Sequence, residues 1–337
     1  MTGLENKEEI NIWIDADMGG DDAWLIVMAL GAARLDKRIK LHGLSTVFGN
    51  ADLNHATRNA QMLLTYLGED NLPVYQGMAQ PFDGSAPFGD GAYGDEGFCG
   101  VRLLEDESAL TVPCQDVKAH DAIADCLRAI DGKLIILSSG PATNLAHLIN
   151  DYPALVKDKV ARMILMSGAV APGPKPNPAG RVGNITTWAE FNAFQDPASL
   201  NVVFGADVPV DVIPMDVAHF MPLNAEQKKR FPKQFVDMTS FVETLDREKF
   251  GSDGPTVHDP NILIWALYPE LFADIRYYNI DVAEDAADMS DADNRRGWYK
   301  NTRAAASSIK VVCGVEDIAG VFDIWEKLFV EGMKNVK

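Results

Sequence analysis

The segment IDADMGGDDAW places four carboxylates, Asp15, Asp17, Asp21 and Asp22, within eight consecutive positions. Like charges this close repel one another unless a proton or a cation neutralises them. Hard oxygen donors with no cysteine beside them suit calcium or magnesium rather than zinc. Gly19 and Gly20 allow the chain to turn tightly and its backbone to approach a ligand. Asp21 and Asp22 then fall in the first turn of the following helix, where the helix dipole favours ionised carboxylates. In an open α/β sheet, ligands bind beyond the carboxyl ends of the strands, which is where such a turn lies.

Two other chemistries fit this segment taken alone. One aspartate at a helix start is ordinary capping, although four, two of them before the turn, exceed what a cap requires. An Asp-x-Asp after a first strand also suits a phosphatase of the haloacid dehalogenase type, with Asp15 as nucleophile and Asp17 as acid/base.

The elements that would position these groups alternate between short apolar runs and helical patterns, which predicts a mostly parallel sheet covered by helices. Strands are expected at residues 10–14, 41–47, 73–75, 133–137, 162–166 and 209–213. Helices are expected at 21–35, with Leu25, Met28, Ala29 and Ala32 on one face, and from an Asp52 cap to Leu67. Further helices are expected from Pro141 to Ile149, with Pro141 in an early helical position, and at 224–245, 260–267 and 317–336. Residues 77–115 and 171–183 are rich in Gly and Pro and read as long loops, the kind that carries function. With no repeat and no linker, residues 1–337 are expected to form a single domain.

Composition narrows the partners. The chain has 337 residues, 47% of them hydrophobic, and a formal net charge of -19. That charge repels a phosphate backbone, so nucleic acid is not an expected partner. Cys99, Cys114, Cys126 and Cys313 have neither zinc-site nor disulfide-scaffold spacing. The opening MTGLENKEEIN has no apolar segment, and the apolar runs are too short to span a bilayer, so a cytoplasmic protein without a membrane partner is expected.

DADMGGDDA resembles the DTDxGxDDA signature of the inosine-uridine-preferring nucleoside hydrolases. TVFGN (46–50) resembles that family's TVxGN, and SSGPATNLA (138–146) its T-G-P-x-T-N segment. MSGA (166–169) is similar to MGGA, GNITTWAEFNAFQDPAS (183–199) to GN...AEFN...DPxA, and HDP (258–260) to the H-D pair that opens a late helix. Six segments in order cover nearly the whole chain.

The resemblance implies a single Rossmann-like α/β domain that assembles as a homodimer or homotetramer. It implies Ca2+ held by the carboxylates of Asp17, Asp22 and Asp259 and by the carbonyl of Ser139, where relatives usually have Thr. Asp17 would also be the general base toward a metal-activated water. Asp21 would contact the ribose 2'-hydroxyl, Asn50 and Asn192 the diol, and Asn184 and Glu190 the 5'-hydroxyl. Met166 would line the sugar pocket, His258 would protonate the departing base, and Asp15 would support its neighbours. The implied reaction is hydrolysis of the N-glycosidic bond of a ribonucleoside, purine or pyrimidine, to ribose and free base. A related hydrolase of another ribosyl compound, such as a modified nucleoside or nicotinamide riboside, stays open, as does a catalytically weak ribose-binding sensor.

Taken singly, these residues have plainer readings. Asn50 and Asn184 follow glycines as turn residues do. Asn192 and Glu190 read as exposed helix positions, Asp259 as an N-cap, and Ser139 as a helix-start residue. Two positions depart from the family pattern. Tyr93, in YGDEG, stands where the nonspecific branch has the His of HGxxG, and Trp188 stands where Pro is common. Both are candidate base contacts or loop-packing aromatics. Trp265, in mid-helix, reads as core. Relatives specialised for purines tend to carry Trp at the position of His258, which favours the broad or inosine-uridine type.

Overall fold

The apolar runs become the strands of one sheet. They are β1 (Ile10–Ala16), β2 (Ile39–Thr46), β3 (Val74–Gln76), β4 (Cys114–Gln115), β5 (Leu134–Ser138), β6 (Val160–Met166), β7 (Val210–Ile213), β8 (Phe272–Val282), β9 (Tyr299–Arg303) and β10 (Ile309–Val315). The computed structural model describes residues 9–89, 91–170, 182–286, 288, 290, 291 and 294–336. The expected loop 171–183 lies mostly outside the described residues.

The strand order is β4-β3-β2-β1-β5-β6-β7-β10-β8-β9. From β4 to β10 every pairing is parallel, while β8 and β9 add an antiparallel edge. Central strands covered on both faces read as continuous apolar runs, and every residue of β1 after Ile10 is buried. β8 to β10 were not anticipated. β8 alternates buried and exposed positions at its far end, as an antiparallel strand with one solvated face does, and lacks an apolar run. The sheet is therefore mixed at one side, within an otherwise parallel Rossmann-like order. β2 lies on one side of β1 and β5 on the other, so the order reverses at β1. A crevice opens at such a reversal, beyond the strand ends.

Several expected helices change their limits. The first, Gly20–Leu35, is buried on all sides through Ala32, beyond the single expected face. The last helix, Ile318–Gly332, covers its outer side. The predicted helix 224–245 is instead three short ones, Ala225–Lys228, Lys233–Asp237 and Ser240–Phe250. Pro232 explains the first break, because it donates no backbone N–H and restricts the residue before it. Pro141 precedes the helix Thr143–Asp151, whose N-cap is Ala142, so it lies before the helix. Asp52 caps Leu53–Tyr66 as expected, accepting from the amides of Asn54 and His55. Among the described residues no helix is long and apolar enough to cross a membrane.

The first and last helices touch backbone to backbone. A Cβ on Gly31 would lie 1.9 Å from the Leu328 carbonyl oxygen, and one on Gly332 would lie 2.0 Å from that of Val27. Alanine in a helix interior gains about 1 kcal/mol over glycine, but overpacking costs about 1–3 kcal/mol. With backbone as the obstacle, the clash wins. Gly31→Ala should lower the free energy of unfolding by up to about 2 kcal/mol in a urea melt, the packing cost less the helix gain, and a stabilised variant would show that the helices are free to separate.

Candidate active site

Asp15 sits one residue before the end of β1, paired in register with Ser45 of β2 and Ser138 of β5. Its carboxylate accepts from Ser45 Oγ and, at 2.7 Å, from Asn144 Nδ2. Ser45 in turn accepts from the Trp13 indole at 2.9 Å, and Asn144 Oδ1 accepts from the Met78 amide at 2.9 Å. Asp15 thus ties together β1, β2, a helix and the start of the long loop. Burial raises its pKa to about 6, against hydrogen bonds that lower it.

The turn that follows carries the other three. Met18 adopts a left-handed backbone conformation, with φ 57°, a strained geometry that persists only where its surroundings enforce it. The Asp17 carboxylate accepts from the backbone amide of Asn50 at 2.8 Å and from its side-chain amide at 3.0 Å. The glycine of TVFGN makes room for it, since a Cβ at Gly49 would lie 2.0 Å from Asp17 Oδ2. Asp22 accepts from the Gly19 amide at 2.7 Å and from Ser139 Oγ at 2.5 Å. Asp21 accepts from the His258 amide at 3.1 Å, and its Oδ1 is buried without a hydrogen-bond partner among the described residues.

Asp259 precedes the helix Pro260–Leu267 with helical backbone angles, and its side chain makes no capping hydrogen bond. It is 3% exposed, so its carboxylate is held inside for something other than a cap. One oxygen each of Asp21, Asp22 and Asp259 lie within 4.8 Å of one another. Oxygens 2.3–2.6 Å from a common calcium can be about that far apart, so the donor set and the spacing both fit a hard cation. Asp17 is not part of this closest triple, and Asp21 is.

The electrostatics agree. Burial and then the Asp22 charge push Asp17 well above the usual carboxylate range. Burial, and then Asp21, push Asp22 up to about 7. Asp259 rises through burial and through the charges of Asp21, Asp22 and Asp17.

Above this floor lies a cleft with both polar and apolar walls. Asp21, Asn50, Tyr93, Ser139, Met166, Asn184, Glu190, Asn192, His258 and Asp259 all line it. Asp17 and Asp22 are fully buried and meet the lining through Asn50 and Ser139. Asn192 donates Nδ2 to the carbonyls of Ser139, at 2.7 Å, and Met166, at 3.0 Å, leaving its buried Oδ1 without a hydrogen-bond partner among the described residues. Asn184 Oδ1 is also buried and without a hydrogen-bond partner among the described residues. Glu190 is buried, not an exposed helix residue. It caps Phe191–Gln195 by accepting from the amides of Asn192 and Ala193, and also from that of Gly168. Burial lifts its pKa to about 7.

Tyr93 is 5% exposed and lies beside Asp21; burial first, then the Asp21 charge, push its phenol well above its usual pKa. Trp188 does not line the cavity. The Arg295 guanidinium sits over its ring at 4.7 Å and over that of Trp298 at 4.8 Å. Of the two, Tyr93 lines the cavity and Trp188 packs elsewhere. Trp265 is buried and donates to Asp211 at 2.7 Å, a core role.

Sequence reading missed one wall. Val242, Leu245, Asp246 and Lys249 line the cavity from the helix Ser240–Phe250. Their spacing marks one helix face, but nothing local says what that face meets. Lys249 Nζ donates to the Asn184 carbonyl at 2.6 Å. Thr256 was missed as well. The His258 ring is driven to a pKa of about 4 by burial, and the adjacent His219 ring, 6.0 Å away between centroids, to about 3.

Comparison with known proteins follows the same lines. Residues 12–317 match the family described as inosine-uridine preferring nucleoside hydrolase. A pyrimidine-specific ribonucleoside hydrolase, RihA, of Citrobacter koseri is 33% identical over 272 residues, covering 78% of this chain and 81% of that protein. RihA of Escherichia coli is equally similar. Among solved structures, the purine-preferring ribonucleoside hydrolase from Gardnerella vaginalis has a TM-score of 0.80 at 23% identity, covering 96% of this chain and 99% of its own. A plant nucleoside hydrolase, PpNRh1, also reaches 0.80 at 22% identity, covering 95% and 98%. The likeness to these two establishes the fold.

The raised carboxyl pKa values carry a sign that can be measured. An unfolded Asp22 loses its proton near 3.8, the folded one near 7. The cation-free fold therefore loses stability as pH rises between those values, and the loss is complete above the upper one. A cation binding the ionised cluster offsets it. The rise in thermal midpoint on adding excess calcium chloride should be several degrees larger at about pH 8 than at about pH 5. Equal increments at both would mean the cluster is ionised without a cation.

Proposed function

Because the chain belongs to the inosine-uridine preferring nucleoside hydrolase family and is a ribonucleoside hydrolase, we propose that it uses calcium to cleave the N-glycosidic bond of ribonucleosides, with pyrimidine ribonucleosides as preferred substrates. The observation that carries this reading is the triple of Asp21, Asp22 and Asp259 at the strand reversal, beneath a cavity lined by unpartnered amide oxygens. The pyrimidine preference follows the two relatives at 33% identity, both pyrimidine-specific by name.

Asp22 and Asp259, with Asp17 or Asp21 and the Ser139 carbonyl, would hold the ion. A bound divalent cation supplies positive charge that fixes the vicinal hydroxyls of a ribose and makes a neighbouring water more acidic. Asp17 takes the proton of the attacking water; the two Asn50 donors orient its carboxylate for this. Asn192 commits its Nδ2 to two carbonyls, so its Oδ1 is the atom that accepts from a sugar hydroxyl. Asn184 Oδ1 and Glu190 accept at the 5'-end. As the C1'–N bond breaks, positive charge grows on the sugar, and the surrounding carboxylates stabilise it. Water oxygen bonds to C1', its proton passes to Asp17, and His258 gives a proton to the departing base. Burial favours the neutral His258 ring, so a ring that has taken a second proton from solvent is a strong acid, and it gives that proton up as negative charge grows on the base, which concentrates its effect on the transition state. Assembly as a homodimer or homotetramer belongs to the same reading.

Ribose release should be measured for uridine, cytidine, inosine, adenosine, nicotinamide riboside and 2'-deoxyuridine, with and without a chelator. Uridine and cytidine should lead. The deoxy compound should fall by a factor on the order of 10⁴, because the buried polar groups lose their partner. Asp17→Asn should lower turnover by a factor on the order of 10³. Turnover of nicotinamide riboside alone would move the substrate class; turnover of none would leave a ribose-binding protein and overturn the reading.

A further inference from the structure

Three polar groups run in a line from the missed wall into the site. Thr256 Oγ1 lies 2.7 Å from Asp246 Oδ2 and 2.9 Å from His258 Nε2. The Thr256 amide also donates to Asp246 Oδ2, at 2.7 Å. Asp246 lies on the helix Ser240–Phe250, is 5% exposed, and borders the cavity. His258 Nδ1 is buried and has no hydrogen-bond partner among the described residues.

A hydroxyl has a single proton to donate. An ionised Asp246 can only accept, so that proton goes to Asp246, and Thr256 Oγ1 must accept from the ring. The geometry points to Asp246 and Thr256 as positioning residues that hold the proton of His258 on Nε2 and leave Nδ1 as the nitrogen that serves the leaving base. This rests on the proposed hydrolysis, to which it adds a route. The choice of nitrogen is set by hydrogen-bond direction and holds for either charge of the ring while Asp246 is ionised. In the reaction, the ring first takes a second proton from solvent on Nδ1; that proton moves to the base nitrogen as the C1'–N electron pair arrives there, and the ring returns to its Nε2–H form. Asp246, one hydroxyl away, stabilises the charged ring, as an orienting carboxylate does for an imidazole in other enzymes.

A plainer role is available: Thr256 and Asp246 simply pin the loop before the helix Pro260–Leu267 against Ser240–Phe250. That role predicts equal losses on all substrates and no effect on the ring tautomer. The variants Thr256→Val, Thr256→Ser and Asp246→Asn separate the two, with folding checked by melting. Ring nitrogen chemical shifts of His258, assigned against His258→Gln, should show the Nε2–H form in the wild type and in Thr256→Ser, and its loss in Thr256→Val. On uridine, kcat of Thr256→Val and Asp246→Asn should fall on the order of 10²-fold, with less than about a threefold fall on 4-nitrophenyl riboside, whose leaving group needs no proton; Thr256→Ser should stay near wild type. An Nδ1–H ring in the wild type, or equal losses on both substrates, would overturn the relay. If the wild type cleaves neither substrate, the hydrolase reading fails, and the nitrogen shifts still decide the tautomer.

Discussion

Five carboxylates, Asp15, Asp17, Asp21, Asp22 and Asp259, are buried at one end of the sheet, and the donors that reach them are neutral. Ser45 and Asn144 serve Asp15, Asn50 serves Asp17, Gly19 and Ser139 serve Asp22, and the backbone amide of His258 serves Asp21. Dipoles of this kind soften the burial of one ion, but they do not offset several like charges packed together. Either protons or a cation must complete the arrangement. The rest of the fold can be understood as the means of holding these groups together until protons or a hard cation neutralise them.

Topology supplies the place. The strand order reverses at β1, so the ends of β1, β2, β5 and β6 bring Asp15, Thr46, Ser138 and Met166 round one crevice. The network Trp13–Ser45–Asp15–Asn144 fixes its base. Asn192 stitches the strand ends after β5 and β6 together, and Glu190 pins the β6 end to the following helix. The first helix presents Asp21 and Asp22 from a position it cannot shift, because the last helix meets it backbone to backbone.

Much of this was legible in the sequence, and for a physical reason. The acidic turn, the Asp52 cap and the central strands are local: their signals sit in adjacent residues. Asn50, Asn184, Glu190 and Asn192, which line one cavity, were legible as a group because ordered segments picked them out together, where Asn184 or Glu190 alone read as turn or surface. The remainder depended on tertiary contact. Asp246, Lys249 and Thr256 join the site only because Pro232 splits the predicted long helix and Ser240–Phe250 folds over the cavity. Asp259 reads as a cap until its side chain is seen to make no capping bond. Trp188 read as either a base contact or a loop-packing aromatic; it packs against Arg295 and Trp298, a pairing that no short-range pattern encodes.

The claim at the centre is that the buried cluster keeps its protons until a divalent cation displaces them. Isothermal titration of the chelator-treated protein with calcium, at about pH 6.5 in buffers of different ionisation enthalpy, counts those protons directly. The account predicts one saturable site per chain, release of at least about one proton on binding, and loss of the site in Asp259→Asn. Binding with no proton released, or an unchanged site in that variant, would contradict it.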